Sequence, residues 1–565
     1  MKLPIGISDF KELIEGDYLF ADKSLLIKDI IEDGSKVILF PRPRRFGKTL
    51  NLSMLYYFLR RNHSNETNLF DGLKISEDKE FCQKHQQQYP VIFITFKDIK
   101  KSNYADAYRD IVALIQELYA THRYLLEGDV LHPDEKLRFN ALLNKQADSS
   151  DVESAIAKLS QYMEKKFNKT PIILIDEYDT PIQEAYLREN YQGEAGYYQK
   201  MIDLMRSIFG RALKDNKSLG KAIITGITRI AQESLFSGLN NLSVFTLLRE
   251  KFGQYFGFTE EEVKYLIEKS KKTVPLSGVK EWYNGYQVGK FILYNPWSII
   301  NCLDQNGVLQ PYWKNTSSND LVAELLKNAN PRIKNQLEEL LQGNVIERPL
   351  SENLVFTKIT THEDALWSLL FYTGYLKVIS RTVDDYPQLA KIAIPNKEVR
   401  LVYDEIVTGW FQQIDVDLYR DFIQSLVHAD MDKFKRHLSD YIMQSGSFFD
   451  FHTNTSEQIF HVFILGLVVG LRTQYYIYSN QESGLGRFDV IFIPKNKKEK
   501  GIVLEFKTSD KPNNLLEKAQ EALEQIKDKQ YIEIFKQQDI SEILAIGLAF
   551  CGKQVELASE TISQI

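Results

Sequence analysis

The chain has 565 residues, 44% of them hydrophobic and 26% charged, with a formal net charge of −6 from 70 Lys and Arg against 76 Asp and Glu. At ~150 residues per domain this length predicts three or four domains, and the ordinary composition excludes a mainly disordered chain. The near balance of charge excludes a uniformly basic nucleic-acid binder while leaving room for a local basic groove.

Cys82, Cys302 and Cys551 are dispersed and form no CxxC pair, and the nine His form no HExxH or H-x₃-H cluster. Neither a zinc site nor a disulfide scaffold is expected, and the pattern fits a reducing compartment. The start, MKLPIGISDF, has no apolar core of a signal peptide. The most apolar stretch, Ile459 to Leu471, is shorter than the ~20 residues of a membrane span. A soluble cytoplasmic protein without a membrane partner is expected.

From Val37 to about Thr228, short apolar runs alternate with amphipathic stretches. The runs Val37–Phe40, Val91–Ile94, Ile172–Ile175 and Ala222–Ile224 read as strands buried on both faces of a mainly parallel sheet, with helices crossing between them. The first run leads through Pro41-Arg-Pro-Arg-Arg-Phe-Gly-Lys-Thr49 into a helical stretch. A phosphate loop needs this order, because backbone N–H groups and a helix N-terminus hold the phosphates, Lys reaches the terminal ones and Ser/Thr ligates Mg²⁺. Gly47, Lys48 and Thr49 supply the end of GxxxxGK[ST], but Arg42 stands where the first Gly belongs. Taken alone, the segment also reads as a basic turn before a helix.

The run Ile172–Ile175 ends in Asp176 and Glu177. In a P-loop NTPase the first acid helps hold Mg²⁺, and the second is placed to polarise the attacking water. The next strand ends in Thr225-Gly-Ile-Thr-Arg229. Thr225 is placed to sense the γ-phosphate. Arg229 reads either as an arginine finger or as a surface ion pair, and Arg44 and Arg45 either touch phosphate or line the loop.

Together Gly6-Ile-Ser-Asp-Phe10, Ala21-Asp-Lys23, Arg42–Thr49, Ile175-Asp-Glu-Tyr-Asp179 and Phe236-Ser-Gly-Leu-Asn-Asn241 resemble the bacterial AAA-ATPase-like family that is found fused to a nuclease domain. The resemblance covers roughly Leu3 to Phe258. In that family RPRRFGKT is the usual loop, so Arg42 is its ordinary form. The resemblance implies an ASCE/AAA-like P-loop domain over 1–258 that binds and hydrolyses ATP with Mg²⁺.

Residues 259–447 read as a mostly helical middle. Thr259-Glu-Glu-Glu262 carries a capping-box pattern. A helix at Ala365–Tyr372 followed by a hairpin at Leu376–Ile379 and Ile392–Ile394 suggests a winged-helix-like unit. Trp282-Tyr-Asn-Gly-Tyr286 and Tyr294-Asn-Pro-Trp297 are rich in aromatic and turn residues. They read as turns packed onto a core in preference to platforms for bases.

From about 448 to 565 the pattern becomes α/β. A helix at Ser456–Leu471 precedes strands at Tyr475–Tyr478, Arg487–Ile493 and Gly501–Phe506, a helix from Leu515 and a last strand at Leu544–Phe550. Asp489 falls in one strand, with Glu505 and Lys507 two apart on the next, so the latter two share a face. Two carboxylates can hold Mg²⁺ for phosphodiester cleavage while the Lys orients a nucleophile or offsets charge. Glu457, with His461 one turn on, opens the first helix and completes a metal shell, with Glu482 as competing candidate. Gln525 on the later helix either holds the motif or contacts DNA.

Ser479-Asn-x-Glu-Ser-Gly484, Gly486-Arg-Phe-Asp489, Glu505-Phe-Lys507, Ala522-Leu-x-Gln-Ile526 and Phe550-Cys-Gly-Lys553 resemble the PD-(D/E)xK nuclease superfamily, a restriction-endonuclease-like fold. One departure is that Lys529 occupies the place of a Tyr four residues after Gln525, and Tyr531 comes later.

The expected whole is an ATP- and Mg²⁺-binding ATPase fused to a Mg²⁺-dependent nuclease acting on DNA. Nucleotide state would control access to nucleic acid or the arrangement of subunits in a homo-oligomer. Two rivals keep the same residues: a nucleotide-dependent switch whose nuclease-like domain binds without cutting, and a nuclease with a purely structural P-loop. Arg42, Arg44, Arg45 and Lys48 crowd one loop where a triphosphate would sit. Acids crowd the metal positions Asp176, Glu177, Asp489 and Glu505.

Overall fold

A computed structural model describes the chain except for residues 1, 62–66, 215, 230–234, 237–240, 314–318, 353–358, 360–361, 383–387, 410–415, 445–459, 461–462, 465–466, 469–470, 472–473, 480–481, 484–485, 488, 529–532, 537 and 564–565. The chain forms two compact units, one from Met1–Thr316 with Glu347–Val399, the other from Ser317–Ile346 with Arg400–Ile565. Among the described residues, no helix is long and apolar enough to cross a membrane.

The first unit is built on β1 (Val37–Pro41), β2 (Val91–Thr95), β3 (Ile172–Asp176), β4 (Lys221–Gly226) and β5 (Leu242–Val244). They lie in the order β2-β3-β4-β1-β5, all parallel. All five residues of β1 and of β3 are buried, which is why their sequences run apolar without alternation. Because β4 lies between β1 and β3, the ends of three strands come together: Phe40 pairs with Thr225, and Ile224 with Ile175 just before Asp176. The helix Lys48–Leu59 crosses from β1 toward β2 and buries Leu52, Leu55 and Phe58 against Ile38 and Phe40.

The motif GISDF braces that helix. Phe10 N donates to Ser53 Oγ at 2.9 Å, and Asp9 accepts from Ser53 Oγ and Tyr57 Oη at 3.2 and 3.0 Å. Lys23 of the motif ADK is buried and donates to Gln254 O and Glu262 Oε2, both at 2.7 Å.

The same unit carries the hairpin β6 (Tyr286–Val288) and β7 (Phe291–Leu293), and a sheet of β8 (Ile346–Pro349), β9 (Lys377–Arg381) and β10 (Leu389–Ala393) in the order β8-β10-β9. The helix Glu363–Thr373 and the antiparallel β9–β10 pair match the expected helix and hairpin. The capping box forms as read: Thr259 Oγ1 accepts from Glu262 N at 3.3 Å, and Glu262 Oε2 accepts from Thr259 N at 2.8 Å.

The second unit contains β11 (Tyr475–Ser479), a two-residue ladder β12 (Glu482–Ser483) and β13 (Gly486–Arg487), then β14 (Val490–Pro494), β15 (Gly501–Thr508), β16 (Glu542–Cys551) and β17 (Gln554–Ser563). The main sheet runs β11-β14-β15-β16-β17; only β15 and β16 are parallel, joined across the helix Leu515–Asp528. Two expectations change. The strand read from Arg487 starts at Val490, because Arg487 belongs to the small ladder, so Asp489 stands at the strand's entrance. The strand β17 has no counterpart among the expected elements. Of the helix expected over 456–471, only scattered positions are described, among them the buried Phe460, Phe463, Ile464, Leu467 and Val468.

The helix Leu515–Asp528 lies unusually close to β16 at Gly547. A Cβ there would stand 2.1 Å from Ala519 O and 2.6 Å from Leu523 N. Both are backbone atoms, so the helix would have to move. We expect Gly547→Ala to destabilise the full chain by about 1–3 kcal/mol, the usual cost of overpacking. Urea unfolding followed by circular dichroism measures this, and an unchanged midpoint would contradict the close approach.

Candidate functional site

In the first unit the loop after β1 turns through Arg45 at φ 65° and Gly47 at φ 76°. Left-handed backbone is easy for glycine and unusual for arginine. The turn brings the loop onto the N-terminus of the helix Lys48–Leu59, whose unpaired N–H groups favour anions. Lys48 is buried and its Nζ donates to Arg42 O and Pro43 O at 3.1 and 2.8 Å. Burial lowers its pKa, opposed by the carboxylates of Glu177, Asp176 and Asp179.

Asp176 is fully buried at the end of β3. Its Oδ2 accepts from Thr49 Oγ1 at 2.7 Å and its Oδ1 from Thr225 Oγ1 at 2.5 Å. Burial raises its pKa, and the two hydroxyls pull it back toward the charged form. A hydroxyl and a carboxylate in direct contact are the oxygen pair that Mg²⁺ takes beside a triphosphate, so these residues fit that ion. Glu177 follows at φ 50°, half-buried, and accepts from Thr180 Oγ1 at 3.2 Å.

Not every cation of the loop faces this centre. Arg42 is fully buried; its Nη1 donates to Pro41 O and Phe245 O at 2.9 and 2.5 Å, and its guanidinium lies 5.0 Å from the ring centroid of Phe256. Burial pushes its pKa down to about 9. The expected crowd of four cations around a triphosphate therefore loses Arg42, which braces the loop from behind. Arg45 stacks 4.3 Å from the ring centroid of Trp297. Arg229 lies 3.8 Å from Glu352, which also stands 3.7 Å from Arg249; the contact described for it is thus an ion pair.

In the second unit Asp489 Oδ2 accepts from Phe506 N at 2.7 Å, while Asp489 N donates to Glu505 Oε2 at 3.3 Å. Glu505 is buried and its Oε1 accepts from Gln525 Nε2. Asp489, Glu505 and Gln525 therefore meet at one point, and Lys507 lies half-buried two residues along β15. Two adjacent carboxylates suit a hard divalent cation. Among the described residues no group of three or more His, Cys, Asp or Glu is arranged to hold a metal. Glu457 and His461, as well as Lys529 and Tyr531, lie outside the described residues.

Residues 4–236 match the model of the predicted AAA-ATPase family, and residues 455–560 match that of the PD-(D/E)XK nuclease superfamily. The chain joins an AAA-ATPase-like domain to a PD-(D/E)XK nuclease superfamily domain. The "Uncharacterized protein in vnfD 5′ region" of Azotobacter chroococcum mcd 1 is 26% identical over 406 residues, which cover 72% of this chain and 69% of that protein. A solved structure, the Walker-type ATPase of Pyrococcus abyssi, matches with 14% identity and a TM-score of 0.33, covering 71% of this chain and 98% of that one.

Within the ATPase-like domain the motif IDEYD holds a residue that was given no role from sequence. Asp179 is fully buried, and its Oδ2 accepts from Ile227 N, Thr228 N and Thr228 Oγ1 at 3.0, 2.9 and 2.9 Å and from Gln183 Nε2 at 2.7 Å. It ties the loop after β4 to the loop after β3, which keeps Thr225 beside Asp176. The aromatic turns pack as expected, but onto the phosphate loop: Phe46 meets Tyr286 edge-on at 4.9 Å. Nothing in the spacing of the sequence pairs these distant segments.

Glu398 stands behind these turns. It is buried and accepts from Ser298 Oγ at 2.7 Å, Tyr312 N at 2.8 Å and Trp313 N at 2.9 Å. Burial pushes its pKa up from 4.5 to about 7, against the pull of those hydrogen bonds. The native state thus holds a proton that the unfolded chain releases. The associated stability is full below 4.5 and is lost as pH rises through about 7. We expect the thermal midpoint to fall over this range in wild type and the fall to shrink in Glu398→Gln; equal slopes in both would exclude the assignment.

Proposed function

We propose that this protein binds and hydrolyses ATP in its AAA-ATPase-like domain and cleaves DNA phosphodiester bonds in its nuclease domain. Mg²⁺ serves both sites, and nucleotide state governs cleavage. The observation that carries the reading is the convergence of Thr49 and Thr225 on the buried Asp176. It assembles, from three strand ends, the chemistry of a nucleotide-bound metal.

In this mechanism the helix N-terminus and Lys48 hold the β- and γ-phosphates. Thr49 and Asp176 hold Mg²⁺, with Asp176 set by Thr225. Glu177 receives the water proton by hydrogen bonding and orients that water toward the γ-phosphate. Arg45 adds positive charge at the phosphate side. In the nuclease domain Asp489 and Glu505 hold Mg²⁺, and Gln525 fixes the Glu505 carboxylate. Lys507 orients the attacking water and offsets charge on the phosphate. Bound Mg²⁺ lowers the pKa of a coordinated water and stabilises charge that develops in the transition state. The setting proposed is the bacterial cytoplasm, with nucleotide-dependent assembly into a homo-oligomer as one route of control.

Cleavage of a panel of single- and double-stranded nucleic acids, with and without ATP, tests the reading. Lys48→Ala should lower ATP turnover by roughly 10²–10³-fold, as loss of a preorganised charge does. Asp489→Asn and Glu505→Gln should abolish Mg²⁺-dependent cleavage. Gln525→Ala should weaken it by ~10–100-fold, as loss of a partner to a metal ligand does. ATP turnover in wild type equal to that of Lys48→Ala would leave the P-loop structural. Mg²⁺ cleavage unaffected by the acid substitutions would leave the nuclease domain a binding module.

A further inference from the structure

Three residues of the phosphate loop lean on a later part of the same unit. Arg45 stacks on Trp297, Phe46 meets Tyr286, and a Cβ on Gly374 would stand 3.0 Å from the Pro43 Cβ. Of the three, only Arg45 has a charge to offer a nucleotide. Its backbone is left-handed, φ 65°, a conformation that a non-glycine residue seldom takes. Burial lowers its pKa, opposed by the Glu177 carboxylate, and Trp297 covers its face.

Trp297 is itself held. Its Nε1 donates to Tyr312 O at 3.1 Å, and its N–H donates to Asn295 Oδ1 at 3.0 Å, at the start of the helix Pro296–Asp304. The neighbouring Ser298 and the segment Tyr312–Trp313 are joined to each other through Glu398. The indole is therefore a fixed platform. A guanidinium stacked on an aromatic face keeps its N–H edge for acceptors in its own plane. A carboxylate partner would use that edge and cancel the charge.

We infer that Trp297 is a positioning residue of the nucleotide site: by stacking on Arg45 it aims that guanidinium at the phosphates of bound ATP. This rests on the ATP-binding reading above. Trp297 never touches nucleotide in this scheme, so its whole effect passes through Arg45.

The test uses the full chain, with binding of a fluorescent ATP analogue and steady-state hydrolysis measured in wild type and in Trp297→Phe, Trp297→Ala, Arg45→Ala and the double alanine variant. Trp297→Ala should raise the analogue Kd and the ATP KM about fivefold, within the range that a cation–π contact carries. Trp297→Phe, which keeps an aromatic face, should recover most of that loss. The double variant should be no worse than Arg45→Ala, because two side chains acting through one contact are not additive. A merely structural role would make the two losses add and would leave phenylalanine no better than alanine at an equal thermal midpoint; either result overturns the inference. Wild-type binding with Trp297→Ala equally tight also removes it while sparing the ATP reading. Equal binding by wild type and Lys48→Ala removes the ATP reading, and this inference with it.

Discussion

Asp176 is a carboxylate taken wholly out of water, and it receives a hydroxyl from each side, Thr49 from the helix after β1 and Thr225 from the end of β4. An acid buried without such donors would be driven to its neutral form. The arrangement needs three parallel strands to end at one level, with β4 between the other two. The sheet order, the buried strand interiors and the four hydrogen bonds gathered by Asp179 all serve that alignment. The phosphate loop then has to close over the same point, which it does by turning through Arg45 and Gly47.

The nuclease domain solves a related problem with different parts. Its acids sit at the entrance of β14 and inside β15, and the donors are amides: Phe506 N and Asp489 N from the backbone, Gln525 from a helix. Bringing that helix within reach requires the bare backbone of Gly547, which pairs with Glu505 across the β15–β16 ladder. In both domains a buried carboxylate is held by neutral donors. A neutral donor orients the acid and leaves its negative charge to attract a cation, whereas an ion-pair partner would cancel that charge.

Much of this was legible in the sequence because it is local. Continuous apolar runs marked four of the five strands of the parallel sheet, and Gly47-Lys48-Thr49 and Asp176-Glu177 marked the strand ends that matter. The nuclease acids followed from an alternation of two residues. What escaped was nonlocal or weakly patterned. Arg42 counted among the four cations crowding the loop because adjacency in sequence hides direction; burial against Phe245 and Phe256 turns it away. Trp297 lies far along the chain from the loop that it touches. Gly547 carries no side chain to announce a close helix. The edge strand β17, QVELASETIS, mixes buried and exposed positions too irregularly to declare its period.

The two compact units are interleaved along the chain. The helices Asn319–Lys327 and Pro331–Leu341 belong with the second unit although they precede β8 to β10 of the first. They carry buried leucines, Leu326 and Leu340 among them. A fragment beginning at Arg400 would leave that apolar surface behind, and one ending at Val399 would carry it along without its partners. The polypeptide passes between the units three times, so no single proteolytic cut yields both as whole folds. Each compact unit therefore depends on two separate stretches of the chain, unlike two domains joined by a single linker.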